Sequence, residues 1–319
     1  MSSQRTDPLA ETQPTAPDAL PGESWPLDAY QAIRISRPIP TKRRKPFTQG
    51  CLTFLLAGVI LLAIYFLLPT RTNILVLGTD SRDPGDPAGR TDTIILTSII
   101  PLRPDIAMLS VPRDLWVNVT GVGEQRINTA FFFAEIEEAG TGPQNVQATI
   151  RQNFGVTMDY YVLVQFEGLQ VVVDALEGVD VTIPRPMSGY PAGVVHMDGE
   201  EALAFVRDRS GSDDFFRMER GQIFITSLWR QLLQPDQWNK IPALFGSLSA
   251  VLQTDVPIWL YPRLGVALLR VGPDGIDNRV ISRDMVNPFT TSGGAAVLGP
   301  NWVAIDPVVE ELFGVTPER

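Results

Sequence analysis

One cysteine, Cys51, and one histidine, His196, occur in 319 residues. Their scarcity excludes disulfide scaffolds, zinc–thiolate centres and clustered histidine metal sites, and because Cys51 lies in or beside a long apolar run, the domain that follows has no thiol to act as a nucleophile. A serine–histidine triad would rest on His196 alone, and that residue stands just ahead of a helix-capping Asp198, the place of a turn residue. Lysine is almost as scarce. Beyond residue 46 the only one is Lys240, so 18 of the 19 basic residues there are arginine. The same segment carries 31 acidic residues and a net charge of −12, which argues against nonspecific nucleic-acid binding.

Charge is absent altogether from Cys51 to Leu68. With Phe47 to Gly50 this run reaches roughly 20 residues, the length a helix needs to cross a bilayer. Pro69, Thr70 and Arg71 lead from it straight toward a strand rather than to a small-residue cleavage site, so residues 47–68 are expected to be a retained transmembrane anchor. Residues 1–46 hold eight prolines and little periodic apolar pattern, and are expected to be a disordered tail. That tail ends in Lys42, Arg43, Arg44 and Lys45, and the positive-inside rule places it in the cytoplasm. Residues 71–319 are then an extracytoplasmic domain on a single-pass protein of the cell membrane.

The most informative stretch of that domain is Asn73 to Thr97. Ile74 to Leu77 is a continuous apolar run ended by Gly78, and Thr93 to Leu96 resumes with β-branched residues. Pro84, Gly85, Pro87 and Gly89 forbid regular structure between them, so the two runs are expected to pair as a hairpin with Asp80 and Asp92 at one rim. Two carboxylates beside Arg82 and Arg90 suit magnesium, which takes few protein oxygens and completes its shell with water and phosphate. The competing reading makes both aspartates loop caps or partners of the arginines. Facing carboxylates repel without a cation, so removing either is expected to cost little stability.

Further along, Ile106 to Val111 reads as a strand that Pro112 ends, leaving Arg113 and Asp114 at its carboxyl end. Phe131, Phe132 and Phe133 are expected in the core. Gln144 to Asn153 and Leu169 to Leu176 read as helices, Tyr160 to Phe166 and Val179 to Ile183 as strands, and Ala295 to Phe313 as a closing strand and helix. Alternating strands and helices predict an α/β fold, an α-β-α sandwich with a mixed central sheet. Asp198 and Glu201 resemble a capping box for a helix starting at Gly199. Arg207 and Arg209 follow it, Asp213 or Asp214 caps the next helix, and Arg217 and Arg220 lie three apart on one face of that helix. Arginine forks match phosphate oxygens in pairs and helix amino termini add positive dipole, so this cluster points to a phosphate. A surface network with Asp208, Asp213, Asp214 and Glu219 is the alternative.

The ordered set LGTDSR, RTDTI, SVPRD, RINTA, DYYVLVQFEG, EGVDV, MDGEEALAFVRDR and DDFFRMERGQ, behind one apolar helix, resembles the LytR-CpsA-Psr family of membrane-anchored cell-wall ligases. The resemblance covers Asn73 to about Trp229. It implies a magnesium-assisted phosphotransferase, with manganese a substitute, that joins a polyprenyl-pyrophosphate-linked glycopolymer such as teichoic acid or a capsule-like polysaccharide to peptidoglycan. By matching position, Asp80 and Asp92 would hold the metal, and Arg90, Arg113, Arg207, Arg209 and Arg217 would bind the pyrophosphate, with Arg220 and Gln222 beside them. Asp214, or an aspartate released from the metal, would be the general base. Arg113 would also act at the reacting centre. Two features depart from the family pattern: Gly221 separates Arg220 from Gln222, and Glu177–Gly178 replaces a pair of glycines. A pyrophosphate hydrolase using the same residues, and a noncatalytic lipid-phosphate sensor, are the competing functions.

Overall fold

The computed structural model describes residues 47–67, 70–79, 91–100, 105–208, 214–240 and 252–317, with backbone alone at 47–50, 67, 167 and 214. The first helix, α1, runs Phe47–Leu67. Among the described residues no helix is long and apolar enough to cross a membrane. The large apolar side chains along α1 are nonetheless exposed, Phe54 at 83% and Leu52 at 68%.

The predicted hairpin is present as β1 (Thr72–Thr79) and β2 (Thr91–Ile100), paired antiparallel. The remaining strands of the main sheet are β3 (Asp105–Ser110), β6 (Tyr160–Gln165), β9 (Leu252–Thr254) and β10 (Ile276–Val280). They assemble in the order β10-β3-β2-β1-β6-β9. β1 runs parallel to β6 and β3 to β10, while β2 pairs antiparallel with β3 and β6 with β9, so the sheet is mixed as expected.

Period-2 alternation divides this sheet between two cores. Leu75, Leu77, Leu96, Leu109 and Leu163 point to one face, where they meet Phe131 of α2 (Thr129–Glu137), Val146 and Phe154 of α3 (Gly142–Phe154) and Val309 of the last helix, α8 (Trp302–Phe313). Ile74, Ile99 and Ile106 point to the other, against Leu264 and Ala267 of α7 (Tyr261–Val271). Helices on both faces make the sandwich. Of the three consecutive phenylalanines only Phe131 is core; Phe133 is 37% exposed and stacks edge-on with Phe132. A helix advances about 100° per residue, so three successive side chains fan over about 200° and cannot all face one core.

A third core lies beside the sheet, around Phe166, Val179, Met197, Phe205 and Phe224. It joins α4 (Phe166–Ala175), the hairpin β7 (Val179–Ile183) and β8 (Gly193–Met197), α5 (Gly199–Arg207) and α6 (Asp214–Leu232). α5 begins where the sequence says, with the Asp198 side chain accepting from the Glu201 amide and the Glu201 side chain accepting from the Asp198 amide. Asp198→Ala removes that reciprocal cap and should cost about 1 kcal/mol, lowering Tm by roughly 2–4 °C for a domain of this size; a calorimetric scan with no shift would show that the cap is redundant. The Glu177–Gly178 departure leaves a mark after the end of α4, where Glu177 takes φ +61° and Gly178 φ +103°. Glu177 thus holds a left-handed backbone that a glycine would adopt without a side-chain clash.

Two further hairpins, β4 (Trp116–Val119) with β5 (Gly123–Arg126) and β11 (Val286–Thr290) with β12 (Ala296–Pro300), border the carboxyl end of β3. The amide of Leu298 in β12 donates to the carbonyl of Asp114 at 3.0 Å, which fixes the second hairpin beside the loop that carries Arg113.

Candidate functional site

Register is regular along β1 and β2 until Gly78 faces Thr93; the next pair is Thr79 with Thr91. Asp92 is the extra residue of a bulge. Bulges re-aim side chains at strand ends, and here Asp92 is turned toward Arg113, whose Nη1 donates to its Oδ1 at 2.7 Å. Arg217 reaches the same residue from α6, its Nη2 donating to the Asp92 carbonyl at 3.4 Å. One rim residue therefore gathers an arginine from the β3 end and another from α6.

Each arginine is held by its own surroundings. The RINTA segment braces Arg113, because the Asn128 amide donates to the Arg113 carbonyl at 3.3 Å and the Ile127 amide to the Leu115 carbonyl at 2.8 Å. Asp114 adds a charge partner to both Arg113 (3.5 Å) and Arg126 (3.1 Å). Arg207, in the last turn of α5, lies over the Phe166 ring at 5.6 Å. Phe166 in turn covers Gly78, where an added Cβ would stand 3.0 Å from the Thr93 Cβ and 3.3 Å from that ring. Only a glycine lets the ring approach so closely, and the approach brings Arg207 to the rim that carries Asp92.

Arg217 and Arg220 do share a face of α6, and that face is buried: they are 8% and 2% exposed. Arg220 donates to the Asp208 carbonyl. Burial pulls the Arg220 pKa below the ordinary arginine value; the Asp208 charge opposes that shift and the neighbouring Arg217 adds to it. Glu219 also opposes the shift by its charge, while its carboxylate is hydrogen-bonded by both terminal nitrogens of Arg185 at 2.7 and 2.5 Å. Gln222 is 5% exposed and donates to the Ser110 hydroxyl at 3.0 Å and the Arg279 carbonyl at 2.6 Å. Its amide nitrogen ties α6 to the ends of β3 and β10.

A cleft of about 710 Å³ opens beside these groups, lined by Arg113, Asp114, Asp208 and Arg217 and by apolar Val286, Pro288, Phe289, Val297 and Leu298 of the β11–β12 hairpin. It contains a cation that sequence reasoning missed. Arg283 lines the cleft, with its guanidinium 5.6 Å from the Phe215 ring and 5.7 Å from the Phe216 ring. Nothing in the ISRDM stretch marks it out; the pairing with FF at the start of α6 exists only in three dimensions.

Asp80, Arg82, Arg90, Arg209 and Asp213 lie outside the described residues, and Asp214 is described only as the first residue of α6. Among the described residues no group of three or more carboxylate, histidine or cysteine side chains gathers as a metal cage. Of the two aspartates expected to hold a metal, Asp92 is the one described. A carboxylate oxygen suits a hard cation that keeps most of its shell from water and substrate.

Polyisoprenyl-teichoic acid–peptidoglycan teichoic acid transferase TagU of Oceanobacillus iheyensis is 35% identical over 190 residues, covering 58% of this chain and 58% of that protein. Regulatory protein MsrR of Staphylococcus aureus (strain COL) is 29% identical over 195 residues, 59% of this chain and 57% of its own length. The matches thus span less than two thirds of these relatives. Among solved structures, B. subtilis TagV superposes with a TM-score of 0.64 at 23% identity, covering 78% of this chain and 99% of that one. TagT bound to LIIa-WTA does so with 0.59 at 20%, covering 77% and 91%. The LytR_cpsA_psr family model matches residues 69–299, and the chain belongs to that family.

Proposed function

We propose that this protein is a phosphotransferase that moves a glycopolymer from a polyprenyl-pyrophosphate carrier to peptidoglycan. The observation that carries the reading is the convergence of Arg113 and Arg217 on Asp92, beside a cleft lined both by charged side chains, three of them arginines, and by apolar ones. A pyrophosphate with a lipid and a sugar attached presents oxygens for the arginine forks and neutral matter for the apolar wall. The transferase name of TagU, a relative at 35% identity, supports the same class of donor and acceptor.

In the reaction a sugar hydroxyl of peptidoglycan attacks the phosphorus that bears the glycopolymer. The P–O–P bridge breaks, polyprenyl monophosphate leaves with the bridging oxygen, and a phosphodiester forms. Negative charge grows on the leaving and equatorial oxygens, where guanidinium groups fixed in advance are most effective. Arg113 and Arg217 bind and orient the pyrophosphate, and Arg207 adds a third fork. Magnesium, or manganese in its place, would be held by Asp80 and Asp92 and would supply further neutralisation of phosphate charge. The hydroxyl proton passes to a carboxylate, assigned here to Asp214 at the head of α6. An ordinary carboxylate is a weak base, so it acts as the hydroxyl–phosphorus bond forms rather than beforehand.

The exposed apolar side chains of α1 support a membrane anchor over residues 47–68; by the positive-inside rule the basic tail would then lie in the cytoplasm and the catalytic domain outside. Such an anchor keeps the enzyme beside a lipid-borne donor.

Incubating the full-length protein with lipid-linked glycopolymer, with and without peptidoglycan, tests the proposal. The expected result is polyprenyl monophosphate release that depends on acceptor, together with polymer covalently bound to peptidoglycan. Equal release without acceptor, the polymer ending as a free phosphate, would make the enzyme a hydrolase; no release in either case would favour a binding or regulatory role.

A further inference from the structure

Among the described residues outside α1, the largest grouping of exposed large apolar side chains lies at the start of α7 and along it. Ile258 is 78% exposed and Trp259 65%, both in the single 3-10 turn Ile258–Leu260 that leads into α7, and Val266 (40%) and Leu269 (56%) follow on α7 itself. Trp259, Pro262, Val266 and Leu269 recur at spacings of three and four, so they form one stripe along a helical face. The opposite face, Leu264 and Ala267 with Leu260, Leu268 and Val271, packs on the sheet through Ile74, Ile99 and Ile106. Isolated exposed apolar residues are ordinary, but a stripe of this kind on a folded helix marks an interaction surface.

Two contacts tie the element to the end of α1. The Tyr65 hydroxyl donates to the Trp259 carbonyl, and the Arg263 Nη2 donates to the carbonyl of Thr70 at 3.3 Å. Arg263 is itself buried, so the junction between α1 and β1 is seated on the first turn of α7. Tryptophan and tyrosine favour the boundary between hydrocarbon and water, with the ring body in the apolar layer and the polar atom at its edge.

We infer that the Ile258–Leu269 stripe is a membrane-docking surface, laid on the outer lipid interface where α1 emerges from the bilayer. The inference rests on α1 being the anchor proposed above. A domain held only by one helix is free to swivel about it; a second contact through an apolar helical face restricts that motion and holds the domain at the level of lipid headgroups, where a pyrophosphate on a lipid carrier is found. Interfacial helices bind in this way through their apolar face.

Depth-dependent quenching tests it. The full-length Cys51→Ser protein is placed in nanodiscs of equal parts phosphatidylglycerol and phosphatidylethanolamine, with a bimane label at Ile60→Cys, Val266→Cys, Leu269→Cys or Val303→Cys in turn. Val303, 86% exposed, is the control for a solvent-facing helix position. Lipids carrying a spin label near the headgroup should quench the probes at 266 and 269 severalfold more than the probe at 303, while deep-labelled lipids quench the probe at 60. Quenching at 60 with 266 and 269 no better than 303 overturns the docking surface and leaves the anchor standing. No quenching at 60 overturns both. Blue-shifted emission at 266 and 269 without quenching by lipid means that protein covers the stripe, and equal quenching at all positions means that no face is preferred; either result overturns the inference.

Discussion

Asp92→Ala should lower turnover on a polyprenyl-pyrophosphate donor by on the order of 10²-fold or more, the scale for removing a preorganised electrostatic group from a charged transition state. It should also lower Tm. Reading the aspartates as a facing pair suggests the opposite effect on stability, through relief of repulsion, but the Asp92 carboxylate is already occupied by Arg113 at 2.7 Å. A hydrogen bond between charged groups contributes ~1.5–3 kcal/mol when well shielded. With the Asp92 side chain 12% and the Arg113 side chain 25% exposed, screening brings the expected loss to about 1 kcal/mol. Asp92→Asn separates the two effects. Its amide oxygen still accepts from Arg113, so it should melt near the wild type, yet the lost charge should leave turnover nearly as low as in the alanine variant. Wild-type turnover of Asp92→Ala at saturating magnesium would remove Asp92 from the site, and an unchanged or raised Tm would show that the Arg113 pair contributes nothing to the fold.

Much of the sheet is legible in the sequence because period and punctuation there are local. Ile74 to Leu77 and Thr93 to Leu96 read as strands whatever lies elsewhere, and a loop of prolines and glycines between them leaves pairing as the economical outcome. Helix α5 is legible for a similar reason, since Asp198 and Glu201 satisfy each other's amides within four residues. The bulge at Asp92 is not legible, because register depends on how Gly78 and Phe166 pack, and Phe166 is 88 residues from Gly78 in the chain. Nor is the burial of Arg217 and Arg220: four acidic residues nearby make a solvated network equally natural until Glu219 is found bound to Arg185. Arg283 shows the limit most plainly. Its role depends on two phenylalanines at the start of α6 and a hairpin from the last quarter of the chain, a juxtaposition with no periodic trace.

Replacing Arg113, Arg207 or Arg217 by lysine should each weaken donor affinity about tenfold or more. Lysine keeps the charge but has neither the fork that matches two phosphate oxygens nor the flat face that lies over a ring, as Arg207 lies over Phe166. Lost hydrogen bonds to charged groups account for ~1.5–3 kcal/mol, and ~1.4 kcal/mol is one decade in Kd. Arg185→Lys is the reference for a surface pair, because Arg185 and Glu219 are 48% and 32% exposed at their side chains. Exposed pairs contribute ~0–1 kcal/mol, so this variant should be nearly silent in both affinity and Tm. Arg220→Lys should behave differently again. Its guanidinium is fully buried and donates to the Asp208 carbonyl, so the substitution should lower Tm first and reach affinity only through a displaced Arg217. Calorimetric titration of a short-chain polyprenyl pyrophosphate into these variants, read beside their melting curves, separates cradle from scaffold. If Arg113→Lys, Arg207→Lys and Arg217→Lys all match Arg185→Lys in affinity and turnover, the arginines do not bind the pyrophosphate and the transferase assignment fails with them.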